Sequence, residues 1–274
     1  MPWQMAVNGE IIKTGNIYIA RPNQHLLIKE DCFILVGAPK ENRFRPSIDI
    51  LFRSAAVAYS SHTIGIILSG MLDDGTIGMS AIKRSGGFCI VQDPNEAEYP
   101  DMPLSVINNM EVDHVASLKE MGNLIAPIIK PKKGKKAVVP EDVITESGIA
   151  ETTAVRIEDV EKIGDVSAFA CPDCGGNLWT VKGDVVKRYR FHISHAYTEK
   201  DLVIKQAETA SSTLWVALLM MEERKHLLKK MHMETQKKEY KTLSANHIQR
   251  HDEMEKHITT LKKILFDLQN RAPA

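Results

Sequence analysis

The sequence predicts an α/β protein with a doubly wound, mostly parallel sheet, followed by a small Cys/His unit and a long helical hairpin. Three observations carry this expectation. First, the apolar run IGIILS from Ile64 is followed by a helical stretch from Thr76 to Ser85, a Gly86-Gly87 stop and a second apolar run, FCIVQD. A strand, helix and strand of this length form a βαβ unit, which requires a parallel pair and a right-handed crossover. Second, Cys171, Cys174, His192 and His195 bring soft donors together late in the chain. Third, His247, His251, Met254, Ile258, Leu261, Leu265 and Leu268 recur at alternating spacings of four and three, a short apolar helical seam.

The elements follow in order. Residues 9–38 alternate short apolar runs with turn formers (NGEIIKTG, IYIARPN, HLLIKED, CFILVGAP), which predicts short strands or hairpins. In RPSIDILFRSAAVAYS, Ile48, Leu51, Phe52, Ala55 and Ala56 have helical spacing, with Ser47 as N-cap. Residues 102–109 and 117–128 are expected as short helices. The lysine-rich KPKKGKK at 130–136 opens a polar, weakly periodic stretch to about 165, expected as a solvated tether. Thr198 to Asp201 fits a capping box that starts a helix running to about Thr235. With a break near Leu243-Ser244, the two long helices pair as an antiparallel hairpin, within one chain or across a homodimer. The expected division is 1–129, a tether at 130–165, a Cys/His unit at 166–200, and helices at 201–274.

Composition narrows the class. The chain has 274 residues, 43% of them apolar and 26% charged, which is ordinary for globular domains. Lys and Arg total 35, as do Asp and Glu, so bulk charge offers no attraction to nucleic acid or anionic membrane. No apolar run approaches the ~18–20 residues of a membrane span. The first ten residues, MPWQMAVNGE, lack the pattern of a secretory signal. A cytoplasmic protein is the expectation, with Cys32 and Cys89 as reduced thiols in strand-like surroundings.

The most informative stretch is SGMLDDGT, which places Asp73 and Asp74 where a buried strand opens into a loop. Ligands of open α/β sheets bind at that edge. A carboxylate there can orient a histidine, hold a metal (with Asp93 as a third acid), or cap the following helix.

Four blocks then carry a resemblance: GNIYIARPNQHLL, NRFRPSIDILFRSAA, IGIILSGMLDDGTIGMSAIKRSGG and VQDPNEAEYPDMPLSVI. In this order they resemble the CheB-type protein-glutamate methylesterase domain over about residues 8–128. That family removes methyl groups from glutamates of chemotaxis receptors with a Ser-His-Asp triad on a doubly wound fold. The resemblance implies that Asp74 takes the position of the triad acid, that Gly70, Met71 and Met102 form the oxyanion and substrate wall, and that Asp73 is a loop residue. Leu72 stands where the family has glycine; a left-handed backbone there would cost about 1–2 kcal/mol. The family's nucleophile lies in a Ser-x-Gly-Gly turn and its histidine one strand later, both upstream of the matching blocks. Only seven residues precede Asn8 here, and Ser-x-Gly-Gly does not occur. His25 and His62 lie in other blocks. The expectation is therefore an incomplete esterase core without the nucleophile and base, inactive as this chain. Methylated chemotaxis receptors or a related two-component partner follow as the implied setting.

Cys171-x2-Cys174-x17-His192-x2-His195 provides two thiolates and two imidazoles, a tetrahedral donor set for structural zinc. No finger-type recognition helix accompanies it, and no thioredoxin-like βαβ surrounds the C-x-x-C. The stretch resembles the zinc-ribbon-like module that follows some CheB-type domains, with Phe191 and Ser194 replacing a cysteine and a glycine of its pattern. Two readings stay open: a methylesterase that this chain only partly contains, and a non-catalytic signalling or interaction protein with a structural zinc site.

Overall fold

The computed structural model describes residues 1–129, 137–152, 157–192 and 195–270. The lysine cluster at 130–136 and Ser194 lie outside the described residues. Two compact units divide the chain, Met1–Leu202 and Val203–Ala274.

The first unit opens with two small sheets. Strands β1 (Trp3–Met5) and β2 (Ile17–Ile19) pair in parallel, and β3 (His25–Lys29) and β4 (Cys32–Val36) form a hairpin. The hairpin turns on Glu30 and Asp31, both with positive φ (48° and 64°). A two-residue turn with both φ values positive matches the right-handed twist of its strands. Helix α1 (Ile48–Tyr59) packs against this hairpin.

The expected βαβ unit is present and extended. Strands β5 (Ile64–Ile67), β6 (Phe88–Gln92) and β7 (His114–Ala116) form one parallel sheet in that order. They are linked through α2 (Thr76–Arg84) and α3 (Asp101–Asn109). Alternation along the strands separates two faces. Ile67, Cys89 and Val91 pack with Ala56 of α1, Met79 and Ile82 of α2, and Val106 of α3. Ile64, Ile66 and Ile90 pack on the other face, against Met121 and Leu124 of α4 (Leu118–Ile128). Helices thus cover both faces of a parallel sheet. Gly65 lets α2 approach β5: a Cβ there would lie 2.5 Å from Met79 Sδ.

The stretch expected as a tether carries two helices, α5 (Glu141–Glu151) and α6 (Ile157–Ile163). Helix α5 inserts Val143 into the parallel-sheet core, Ala150 into the hairpin core and Ile149 into the core of the Cys/His unit. Its buried face, Val143, Glu146, Ile149 and Ala150, includes an acid, and Ile144 is exposed, so the apolar pattern is weak.

The Cys/His unit is a four-stranded antiparallel sheet of order β11-β10-β9-β8, formed by β8 (Gly164–Ala170), β9 (Asn177–Val181), β10 (Arg188–Arg190) and β11 (Ala196–Thr198). A buried ion cluster joins it to the rest of the unit. Arg53 of α1, and Arg188 and Arg190 of β10, surround Glu41 and Glu146, all at most 5% exposed. Arg188 bonds Glu146 at 2.5 Å and Asp184 at 2.7 Å, Arg190 bonds Glu41 at 3.0 Å, and Arg53 bonds Glu41. Three guanidinium groups against three carboxylates leave the cluster neutral. Burial opposes the Glu41 charge, but Arg53, Arg190 and Arg188 bring its pKa down to about 2.

The long helices are α7 (Glu199–Lys237), which begins in the first unit, and α8 (Lys241–Asn270). In the second unit, Leu214, Leu218 and Met221 pack against Met254, Ile258, Leu261 and Leu265. Lys262 to Glu222 and Lys225 to Glu255, both 2.8 Å, add cross-hairpin pairs. The break falls at residues 238–240, with Glu239 at φ 61°, not at Leu243-Ser244. Ser244 instead lies within α8, where His232 Nδ1 meets its carbonyl at 2.9 Å. Leu268 is 46% exposed and stands outside the buried seam.

Candidate functional site

Asp74 lies where β5 gives way to α2, just before Gly75 (φ 92°), and is 3% exposed. A Cβ on Gly75 would lie 2.5 Å from Ile67 Cδ1, so position and backbone conformation both demand glycine. The Asp74 carboxylate reaches across to the start of α1. Oδ1 accepts from Ser47 Oγ at 2.8 Å and Asp49 N at 3.3 Å, and Oδ2 accepts from Ile48 N at 2.9 Å. Ser47 occupies the expected N-cap position, yet its hydroxyl bonds Asp74 and not an amide of its own helix. Two orphan amides of α1 are thus satisfied by a residue of the loop after β5.

Asp49 returns the arrangement. From the first turn of α1, its Oδ1 accepts from Gly78 N in the first turn of α2 at 2.7 Å, and its Oδ2 accepts from Asn42 Nδ2 at 2.9 Å. A Cβ on Gly78 would lie 2.6 Å from Phe52 Cβ and 3.0 Å from Asp49 Cα. Two helices therefore start side by side: Asp49 of α1 caps α2, and Asp74 of the loop that leads into α2 caps α1. Burial raises the Asp74 pKa to about 6 against the lowering effect of its hydrogen bonds. Asp49 is pushed well above the ordinary range by burial and by the Asp74 charge.

His25 completes the surroundings. It is fully buried, its Nδ1 accepts from Ser47 N at 3.2 Å, and its Nε2 lies 2.9 Å from Pro39 O. These partners require hydrogen on Nε2 and a lone pair on Nδ1. A serine, a histidine and an aspartate thus meet here, but the hydroxyl bonds the carboxylate directly and the imidazole bonds backbone on both sides.

Beside this core, Gly70 N donates to Tyr99 O at 2.9 Å and Met102 N to Gly70 O at 3.0 Å. A Cβ on Gly70 would lie 2.1 Å from Met102 Sδ, so the two expected wall residues are in contact. Met71 is 60% exposed, and Leu68, Tyr99 and Leu104 are exposed near the same strand end. Leu72 has φ 66°, the strained conformation foreseen for it. Asp93 lies at the end of β6, where its Oδ1 caps Asn95 N at 2.9 Å. Asp73, Asp74 and Asp93 do not form a metal-competent group among the described residues.

In the Cys/His unit, Cys171, Cys174 and His195 place donor atoms within 4.8 Å of one another, close enough to bind a metal ion. The knuckle closes through Cys171 N to Gly176 O (2.7 Å) and Gly175 N to Cys171 O (2.8 Å), with Gly175 at φ 78°. Burial pushes the Cys171 thiol up, but contacts from His195 Nδ1 at 3.5 Å and Tyr197 Oη at 3.4 Å outweigh it and bring the pKa to about 7. That lowering suits a thiolate ligand. His192, the fourth expected donor, is not in the group; its ring lies against Phe191 (centroids 4.1 Å) and Trp179 (6.1 Å). Phe191 covers Gly176, where a Cβ would meet the ring at 2.3 Å.

Residues 1–125 match the family model described as CheB methylesterase. The match takes in 125 of the 274 residues. A Leptospira interrogans candidate protein-glutamate methylesterase/protein-glutamine glutaminase is 45% identical over 116 residues, covering 42% of this chain and 60% of the relative. A Borreliella burgdorferi protein-glutamate methylesterase/protein-glutamine glutaminase is 36% identical over 122 residues, covering 43% of this chain and 32% of the relative. This chain thus spans less than two thirds of either relative. The crystal structure of the Thermotoga maritima CheB methylesterase catalytic domain aligns with a TM-score of 0.44 at 34% identity, covering 46% of this chain and 68% of that one. The CheB-matched region holds Gly70, Met71, Asp74 and Met102 and ends before the Cys/His unit. No helix among the described residues is long and apolar enough to cross a membrane.

Sequence reasoning missed His25, Asp49 and the Arg–Glu cluster as parts of these sites. Asp49 gave a weak signal, an acid in the first turn of a helix. The arginines in KRYRF look like exposed charge until their alternation in a strand is known to face a covered side.

Proposed function

We propose that this chain serves receptor-methylation signalling as a CheB-like module that engages methylated glutamate without hydrolysing it by itself. The observation that carries this reading is the wiring of Ser47, His25 and Asp74. In a hydrolytic triad the imidazole stands between hydroxyl and carboxylate and takes the nucleophile's proton. Here Ser47 Oγ gives its hydrogen to Asp74, and the one lone pair on the His25 ring faces Ser47 N. His25 has nothing with which to accept the hydroxyl proton. Burial also lowers its pKa, so the ring stays neutral. Asp74 keeps the position of the family's acid while its acceptors hold α1 in place.

The exposed Met71, Tyr99 and Leu104 beside Gly70 offer an apolar surface for a receptor segment. In this reading Cys171, Cys174 and His195 hold a zinc ion that pins the β8–β9 knuckle to the start of β11. Two thiolates and an imidazole suit zinc, and bound metal would supply folding energy to a small sheet. The long helices provide the surface for self-association.

The test is methanol release from a methyl-glutamate receptor substrate. The purified 274-residue chain is expected to release none above buffer while still retaining the methylated substrate on a pull-down. Saturable release, lost on Ser47→Ala, would overturn the proposal.

A further inference from the structure

A cleft lies beside the Asp74 loop, where the loop after β5 and helix α3 face the end of the Cys/His sheet. It encloses about 580 Å³ and is lined by Asp73, Ser105, Asn108, Lys187, Thr198 and Asp201 among others. Two of its carboxylates are buried, Asp73 at 7% exposure and Asp201 at 1%. Thr198 Oγ1 donates to Asp201 Oδ2 at 2.9 Å and accepts from Asp201 N at 3.3 Å, which uses up its single hydrogen. The Asp73 carboxylate feels the Thr198 hydroxyl and the Lys200 charge, but its Oδ1 atom has no hydrogen-bonding partner although it is shut off from bulk solvent. An unpaired carboxylate oxygen in such a position is costly unless a donor comes to it.

The charge balance says what kind of donor. Asp73, Asp101, Glu199 and Asp201 face Lys187 and Lys200 within the lining. Lys187 pairs with Glu199 at 2.8 Å, which leaves three acids against Lys200. Arg43 lies outside the lining and acts on Asp201. A divalent metal needs a shell of several converging oxygens. The one group of three or more donors within 4.8 Å among the described residues is Cys171, Cys174 and His195, so these acids do not form such a shell. A planar or tetrahedral organic cation with several hydrogens suits dispersed acceptors better.

We propose that this cleft binds one organic monocation, a guanidinium or primary ammonium group on an extended side chain, with Asp73 as its principal acceptor. The Asn108 amide, and the second lone pair of Ser105 Oγ beside its bond from Thr76 Oγ1 at 2.8 Å, provide neutral acceptors along the lining. The site belongs equally to the CheB-matched part and to the Cys/His unit, so it exists only where the two are joined. It does not depend on the methyl-glutamate reading.

Calorimetric titration of the full chain with N-acetyl-arginine amide, and with its neutral isostere N-acetyl-citrulline amide, tests this. Saturable binding of the arginine compound is expected, at least ten-fold tighter than the citrulline compound. Asp73→Asn should abolish that preference, and Lys200→Ala, which removes a competing charge, should tighten arginine binding a few-fold. Equal affinity for the two compounds, or no saturation by either, overturns the proposal without any variant. Magnesium chloride displacing the arginine compound at stoichiometric concentration would also overturn it, assigning the cleft to a metal.

Discussion

Asp74 and Asp49 exchange helix caps: Asp74, in the loop that leads into α2, accepts the first amides of α1, and Asp49 in α1 accepts the Gly78 amide of α2 at 2.7 Å. The exchange locks two neighbouring helix starts at the strand end where the family's acid is expected. It makes Asp74 a structural residue whatever chemistry it also serves. Asp74→Ala should cost about 2–4 kcal/mol, because Ser47 Oγ and two backbone amides lose their acceptor in a buried place. Urea unfolding followed by far-UV circular dichroism would measure it; a loss below half of that range would mean water replaces the carboxylate.

The same aspartate sets a pH dependence whose sign is fixed. Its folded pKa of about 6 exceeds its unfolded value, so the folded state holds the proton more tightly between about pH 4 and 6. Its contribution therefore falls as pH rises through that window. Glu41 acts oppositely: with a folded pKa of about 2, its contribution is present above about pH 4.5 and is lost as pH falls towards 2. The stability difference between wild type and Asp74→Asn is expected to shrink from pH 4 to pH 7. A difference that grows over that range would refute the assignment.

Leu72 stores strain. At φ 66° it occupies a conformation that glycine adopts without penalty. Leu72→Gly should relieve about 1–2 kcal/mol of strain, partly offset by the greater freedom of glycine in the unfolded chain, for a net gain of about 0.5–1 kcal/mol in thermal unfolding. A net loss would show that the Leu72 side chain packs more than it strains.

The ion cluster around Glu146 ties the Cys/His sheet to the CheB-matched region. Removing one member leaves buried guanidinium charge uncompensated, so Glu146→Gln should destabilise the chain by about 3–5 kcal/mol. Limited proteolysis should then cut between α5 and β8 first. An unchanged unfolding midpoint would contradict the role of the cluster as a clasp.

Zinc analysis of the purified chain by mass spectrometry should find one ion per chain. That ion should be lost in Cys171→Ser and Cys174→Ser but kept in His192→Ala, because the His192 ring packs on Phe191 away from the other donors. Loss of zinc in His192→Ala would instead restore the four-ligand set expected from spacing.

Much of the parallel sheet was legible. Ile64–Ile67 and Phe88–Gln92 are apolar on both sides because helices cover both faces, and Gly86-Gly87 ends α2 as its type demands. Helix α5 was not legible, because its buried face carries Glu146 among Val143, Ile149 and Ala150 while the apolar Ile144 is exposed. The capping exchange was legible only in part. Asp74 was visible as a candidate cap or acid, but its partners at 47–49 are more than twenty residues away, and nothing local announces them. Of the four proposed metal ligands, spacing alone could not reveal that Phe191 would hold His192 apart.

The most direct test of the central claim is the tautomer of His25, read by long-range nitrogen–proton correlation spectroscopy on labelled protein. The structural wiring predicts a neutral ring with hydrogen on Nε2, unchanged from pH 7 to pH 8 and independent of Asp74→Asn. A ring with hydrogen on Nδ1, or one that protonates near neutral pH and responds to Asp74→Asn, would contradict it and restore His25 as a base for Ser47.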